Sequence, residues 1–200
     1  MTNNNIFLNT YEDPRTLRTK KALHKSLSNK LKYKKLKQIS VSEITDQANI
    51  NRSTFYLHYS NLDDLYLEIE EYLYEQYQEK LKEFQAKIDF MKIDQQSLET
   101  EEAELLKQTF AFLQINKEYS AVILEESSAN SFLNKIVKQG EKVYLLKQKT
   151  KLAPSDKVET KYSYTFTSNG LVAVIKQWLA DGMIESPEEM SKLAYKLLYL

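Results

Sequence analysis

Three glycines and three prolines in 200 residues leave this chain with almost nothing to interrupt a helix, and that scarcity constrains its fold more than any other feature. Glycine costs a helix interior about 1 kcal/mol relative to alanine and proline about 3, so a sequence that avoids both can run in long helices. The fold class expected is all-α. Apolar spacing puts longer helices at about Thr16 to Tyr33, Leu62 to Ile88, Glu101 to Asn116, Ser131 to Lys149, Val158 to Asp181 and Pro187 to Tyr199, and a shorter one at Tyr119 to Glu126. One stretch argues otherwise: YSYTFT, residues 162–167, alternates aromatic and polar as a half-buried strand would. No second segment could pair with it, and a lone strand is not stable, so the helical continuation LVAVIKQWLADG decides for helix.

Between the first helix and Leu62 lies VSEITDQANINRSTFYLHYSN, which reads as two short helices joined by a tight turn. Val41, Ile44 and Ala48 recur at helical spacing, with Ser40 or Ser42 available as N-cap. Asn49 supplies the turn, since asparagine enters the left-handed region at low cost. Asn51 caps the second helix, Phe55 and Tyr59 pack inward, and Arg52, Ser53, Thr54, Tyr56, Leu57 and His58 divide between flank and exposed face. Such a pair places its second helix in the major groove of DNA. The charge distribution agrees. The chain has 28 basic and 28 acidic residues, yet ten basic ones and no acidic one fall between Arg15 and Ser42, and all but two of the acidic residues follow Ser42. A lysine run alone is more often a solvated helix face; beside a helix-turn-helix it reads as a head turned toward phosphate, with Lys34, Lys35 and Lys37 as contacts.

The INRSTFYLHY run, with RTKKALHKSLSNKLKYKKLKQIS before it, resembles the DNA-binding domain of the tetracycline-repressor family of bacterial regulators. Three departures stand out: Asn49 replaces the usual turn glycine, Leu62 sits where a phosphate-binding lysine is usual, and Lys30 takes a usually apolar position. Residues 1–14, rich in asparagine and without periodicity, read as a flexible arm, and the resemblance implies a three-helix DNA-binding head over 15–60 and a helical effector-binding and dimerisation body over 61–200. Arg52, Ser53 and Thr54 would then face the bases or nearby phosphates, Ser42, Tyr56 and His58 would hold phosphates, and Leu57 would lie among these DNA-binding residues. More loosely, the pattern from Tyr164 through Gly170, Trp178 and Gly182 to the SPEE cap is similar to the last two helices of such regulators, which form a four-helix dimer interface. Leu171, Val174, Ile175, Trp178 and Leu179 make one stripe there, and Leu193 and Leu197 another. Relatives also enclose an effector cavity, for which Phe110, Tyr119, Phe132, Tyr144, Tyr162 and Phe166 are candidates.

Other function classes fare poorly. There is no cysteine, and the only histidines, His24 and His58, both lie in the basic head, so neither a metal site nor a thiol nucleophile is expected, and no cofactor. Glu101, Glu102 and Glu104 read as dipole complementation in a helix's first turn. No apolar run nears the roughly 18 residues of a membrane span, and the polar start lacks a signal-peptide core, so a cytoplasmic, nucleoid-associated protein is expected, without a membrane partner. The expected function is a homodimeric transcription regulator, an effector-responsive repressor on a palindromic double-stranded operator, its effector an unknown small molecule or protein. Two alternatives stay open. The INRSTFY subgroup is also similar to regulators of dihydroxyacetone utilisation, some of which activate through a protein partner, and a non-specific architectural DNA binder is the other.

Overall fold

The computed structural model describes residues 13–90, 95–125, 131–138 and 157–198, and every one of its regular elements is helical. Helix α1, Pro14–Leu31, begins where Asp13 accepts the Arg15 N–H at 2.9 Å and Pro14 takes the first helical position, so residues 13 and 14 belong to the helix start and not to the expected arm. The rest of that arm lies outside the described residues. Leu23, Leu27 and Leu31 form its buried stripe. After a 3-10 turn at Leu36–Gln38, α2 runs over Val41–Ala48 and α3 over Arg52–Tyr56.

Helix α4, Leu62–Phe90, is 29 residues long and links this head to the remainder; at 1.5 Å per residue it reaches about 43 Å. The stripe Leu62, Leu65, Ile69, Leu73 and Tyr77 is buried along it, as its spacing predicts. Then come α5, Gln95–Ile115, a 3-10 turn at Lys117–Tyr119, the short α6, Ser120–Leu124, and α7 at residues 132–138. The rest of the helix expected over Ser131 to Lys149 lies outside the described residues. Because α5 starts at Gln95, Glu101, Glu102 and Glu104 fall in its second and third turns and not at its N-terminus.

Helix α8, Lys157–Ala180, takes in the contested 162–167 stretch. Its hydroxyls turn back on the helix: Thr165 Oγ1 donates to the Lys161 carbonyl and Thr167 Oγ1 to the Ser163 carbonyl, both at 2.9 Å, so the alternate polar residues need no strand partner. Gly182, at φ 84°, closes α8 in a Schellman turn, with Met183 N–H on the Trp178 carbonyl and Gly182 N–H on that of Leu179. Ser186 and Glu189 then cap α9, Pro187–Leu198, reciprocally. In the body α5 packs on α4 and α9, and α8 on α6 and α9; α1 rests on α2, α4 and α6.

Candidate nucleic-acid interface

The two short helices are positioned by local polar bonds. Ser40, not Ser42, caps α2: its hydroxyl accepts the Glu43 N–H at 3.3 Å while the Glu43 carboxylate accepts the Ser40 N–H at 3.0 Å. Asn49 ends α2 at φ 54° and ψ 46°, in the left-handed region as its type predicts, and the Ile50 N–H closes the turn on the Thr45 carbonyl at 2.9 Å. Asn51 Oδ1 accepts the Ser53 N–H at 2.9 Å and starts α3.

That turn aims α3 outward. Phe55 and Tyr59 face the core, Arg52 and Ser53 are exposed, Tyr56 is 51% and Leu57 81% exposed, and Thr54 and His58 are half-buried. Helix α3 is shorter than its pattern suggests: Leu57 is its C-cap and His58 lies in the following turn, where its N–H and that of Tyr59 share the Phe55 carbonyl. Leu62, which stands where the resemblance would put a phosphate-binding lysine, is buried at the start of α4 and can offer no cation.

The basic face has an internal counter-ion that sequence reading missed. Lys34 Nζ lies 2.6 Å from Glu43, and Lys30 Nζ 4.0 Å from the same oxygen. Hydrogen bonds from Lys34 and Ser40 hold the Glu43 carboxyl down at about 2. Of the lysines expected to meet phosphate, Lys35 and Lys37 are exposed and Lys34 is already engaged. The Ser40-x-x-Glu43 capping-box spacing was the available signal. Ser42 is half-buried at the start of α2, one turn before Thr45, whose hydroxyl donates to the Val41 and Ser42 carbonyls.

Behind this surface, His24 is fully buried on α1, with Nε2 3.3 Å from the Tyr59 hydroxyl and 3.7 Å from Glu68 on α4, which Lys20 also approaches at 3.3 Å. Burial, then the Lys20 charge, lowers its imidazole to about 3 and keeps it neutral. The head reaches the body through Ser28, whose hydroxyl donates to the Glu118 carbonyl just before α6.

In the body the candidate residues divide unexpectedly. Phe110 and Phe132 are wholly buried and packed: Phe110 meets Trp178 edge-on at 5.2 Å, and Phe132 lies against Phe112 and Tyr77. Tyr119 is buried against Tyr72. Tyr162 and Phe166, offered for the same cavity, are 65% and 81% exposed on α8, and Tyr144 lies outside the described residues. Conversely, Ile175, Trp178 and Leu179, expected in a dimer stripe, are buried in the core of the single chain, where the Trp178 indole donates to the Glu185 carbonyl at 3.1 Å. The choice of α8 face is made by α6 and α9, with Phe110 of α5 on the Trp178 ring, and not by α8's own pattern. Leu171 and Val174 are half-buried, and Leu193 and Leu197 are exposed on α9.

Residues 101–199 match the family model described as a transcriptional regulator C-terminal region, of the TetR type. The C-terminal region of this chain is thus that of a TetR-type transcriptional regulator. The regulator's fold is similar to the solved structure of the fatty acid degradation regulator FadR from Bacillus halodurans, at 17% identity and a TM-score of 0.61, over 90% of this chain and 96% of that one. The dihydroxyacetone kinase operon activator DhaS aligns at 18% identity and a TM-score of 0.49, over 90% and 94%. No curated protein matches the regulator's sequence. Among its described residues no helix is long and apolar enough to cross a membrane.

Proposed function

We propose that the regulator binds a palindromic operator as a homodimer and represses transcription until an effector weakens that binding. The observation that carries the reading is α3: a helix seated on Phe55 and Tyr59, aimed by the left-handed Asn49, with Arg52, Ser53, Tyr56 and Leu57 outward beside a lysine-rich face. Residues 15–60 form the reading head and 61–200 the dimerising body. Arg52, Ser53 and Thr54 face base edges or nearby phosphates, Leu57 adds apolar contact, and Ser42, Tyr56, His58, Lys35 and Lys37 hold phosphates. Lys34 screens Glu43 so that no bare carboxylate meets the DNA.

The second copy covers the apolar side chains left exposed on the last two helices, Tyr162 and Phe166 on α8 with Leu193 and Leu197 on α9, bordered by Leu171 and Val174. A two-fold axis there sets the α3 helices one DNA turn apart, about 34–36 Å. An effector acts only through its differential affinity for the conformer with misplaced heads.

In-vitro site selection tests the reading. Wild type should return a two-fold symmetric site, and Arg52→Ala should lose about 1–3 kcal/mol of preference at one base pair per half-site if its contact is bidentate. Phe166→Glu should sediment as a monomer and lose the site while its helical content stays intact. Selection that returns no enriched sequence would defeat the proposal, and a Phe166→Glu dimer would move the interface elsewhere.

A further inference from the structure

Glu70 is a buried acid that the α3 surface does not use. It sits on the inner face of α4, 1% exposed. One carboxyl oxygen accepts the Phe132 N–H, at the start of α7, at 3.0 Å, and the other is buried with no hydrogen-bond partner. Burial pushes this carboxyl above the ordinary range, opposed by the Phe132 N–H, the Tyr66 hydroxyl and the Lys135 charge, while Glu71 adds to the rise. The ionisable groups that act on it are Tyr66 and Glu71 on its own helix and Lys135 on α7. Lys135 is itself bonded to Glu71 and lies over the Tyr74 ring, so its charge is shared. An ionised carboxylate with a bare, buried oxygen is costly, so burial shifts this group toward its neutral form.

Tyr66, one turn earlier on α4, supplies the connection. Its hydroxyl donates to the Glu125 carbonyl at 2.9 Å, with the Val122 carbonyl at 3.4 Å, and it also acts on the Glu70 carboxyl. A phenol has one proton to give. The carboxyl and the end of α6 therefore compete for a single donor.

We propose that Glu70 is a protonation-sensitive latch on α6: neutral, it leaves the Tyr66 proton to the Glu125 and Val122 carbonyls, and ionised, it draws that proton to itself and frees the C-terminal end of the helix. The other end of α6 adjoins Glu118, whose carbonyl receives Ser28 from α1, so an α6 released at one end bears on the head at the other. The sign follows from an acid whose folded form resists ionisation. The latch's contribution is full below the ordinary carboxylate range and is lost as pH rises through Glu70's raised value. The latch stands whether or not the head reads DNA; only its consequence for operator affinity rests on the function proposed above.

Hydrogen exchange of the α6 amides, Ser120 to Leu124, tests it in the full chain at mildly acidic and mildly alkaline pH, corrected for intrinsic rates. Wild type should lose protection several-fold on going alkaline. Glu70→Gln, whose amide keeps the shape of the neutral acid, should stay protected at both values, and Tyr66→Phe should be open at both. A wild type without the pH response, or a Glu70→Gln that retains it, overturns the latch. If Glu70→Gln does not fold, Tyr66→Phe decides: loss of the pH response supports the latch and a wild-type response overturns it. Operator affinity measured alongside separates the two ideas, since a responsive α6 in a chain that binds no DNA defeats the proposed function and leaves the latch.

Discussion

Head and body are both built of helices, yet they are held by different kinds of contact. In the head, position comes from polar bonds between near neighbours: the Ser40 and Glu43 box, the left-handed Asn49, the Asn51 cap. In the body it comes from aromatic rings brought together across long stretches of chain, Phe110 on Trp178 and Phe112 stacked on Phe132 at 6.0 Å. A cap holds one helix end and its loss is local. A ring in a packed core is shared among several helices, so its loss is felt by all of them.

The widest separation between the two should come from single truncations. Trp178→Ala removes the ring that Phe110 packs on and should cost about 3–5 kcal/mol in urea unfolding, whereas Ser40→Ala should cost about 1 kcal/mol. Equal losses would erase the contrast.

His24 sharpens it, because it is a head residue buried like one of the body. Its imidazole is neutral in the fold down to about 3 but titrates near 6.5 when unfolded, so the unfolded chain takes up the proton first on acidification. Stability should rise with pH across that window, and the part due to His24 amounts to on the order of 5 kcal/mol. Denaturation at successive pH values should show a shallower acid slope for His24→Gln than for wild type. An unchanged slope would mean that the ring is not carrying this term.

The smallest effect tests the turn. Asn49→Gly should be nearly neutral and Asn49→Val should cost about 1–2 kcal/mol, because a β-branched side chain clashes in the left-handed region. Thermal melts compare them, and matching melts would place the turn's strain elsewhere.

The same contrast explains what could be read from the sequence. Asn49, Asn51 and the SPEE cap involve residues two to five apart, and each was legible because its chemistry is complete within one short window. The α4 stripe was legible too, since a single apolar face leaves no choice. Helix α8 is different. It carries apolar residues on more than one face, and only the presence of α6 and α9 decides that Ile175, Trp178 and Leu179 turn in while Tyr162 and Phe166 turn out. Glu70 gave no signal of its own, because the N–H that its carboxyl accepts belongs to Phe132, 62 positions away.

Many of the side-chain bonds that reach beyond one helical turn share a property with consequences for mutation. Ser28 to Glu118, Tyr66 to Glu125, Ser26 to Ile44, Trp178 to Glu185 and Tyr164 to Val137 all end on a backbone carbonyl. Every residue type carries that acceptor, so the receiving position can change identity and keep the bond, while the donor cannot. A saturation scan of this protein should therefore be lopsided, intolerant at Ser28 and Tyr66 and permissive at Glu118, and the wiring between head and body can persist while half of its addresses drift.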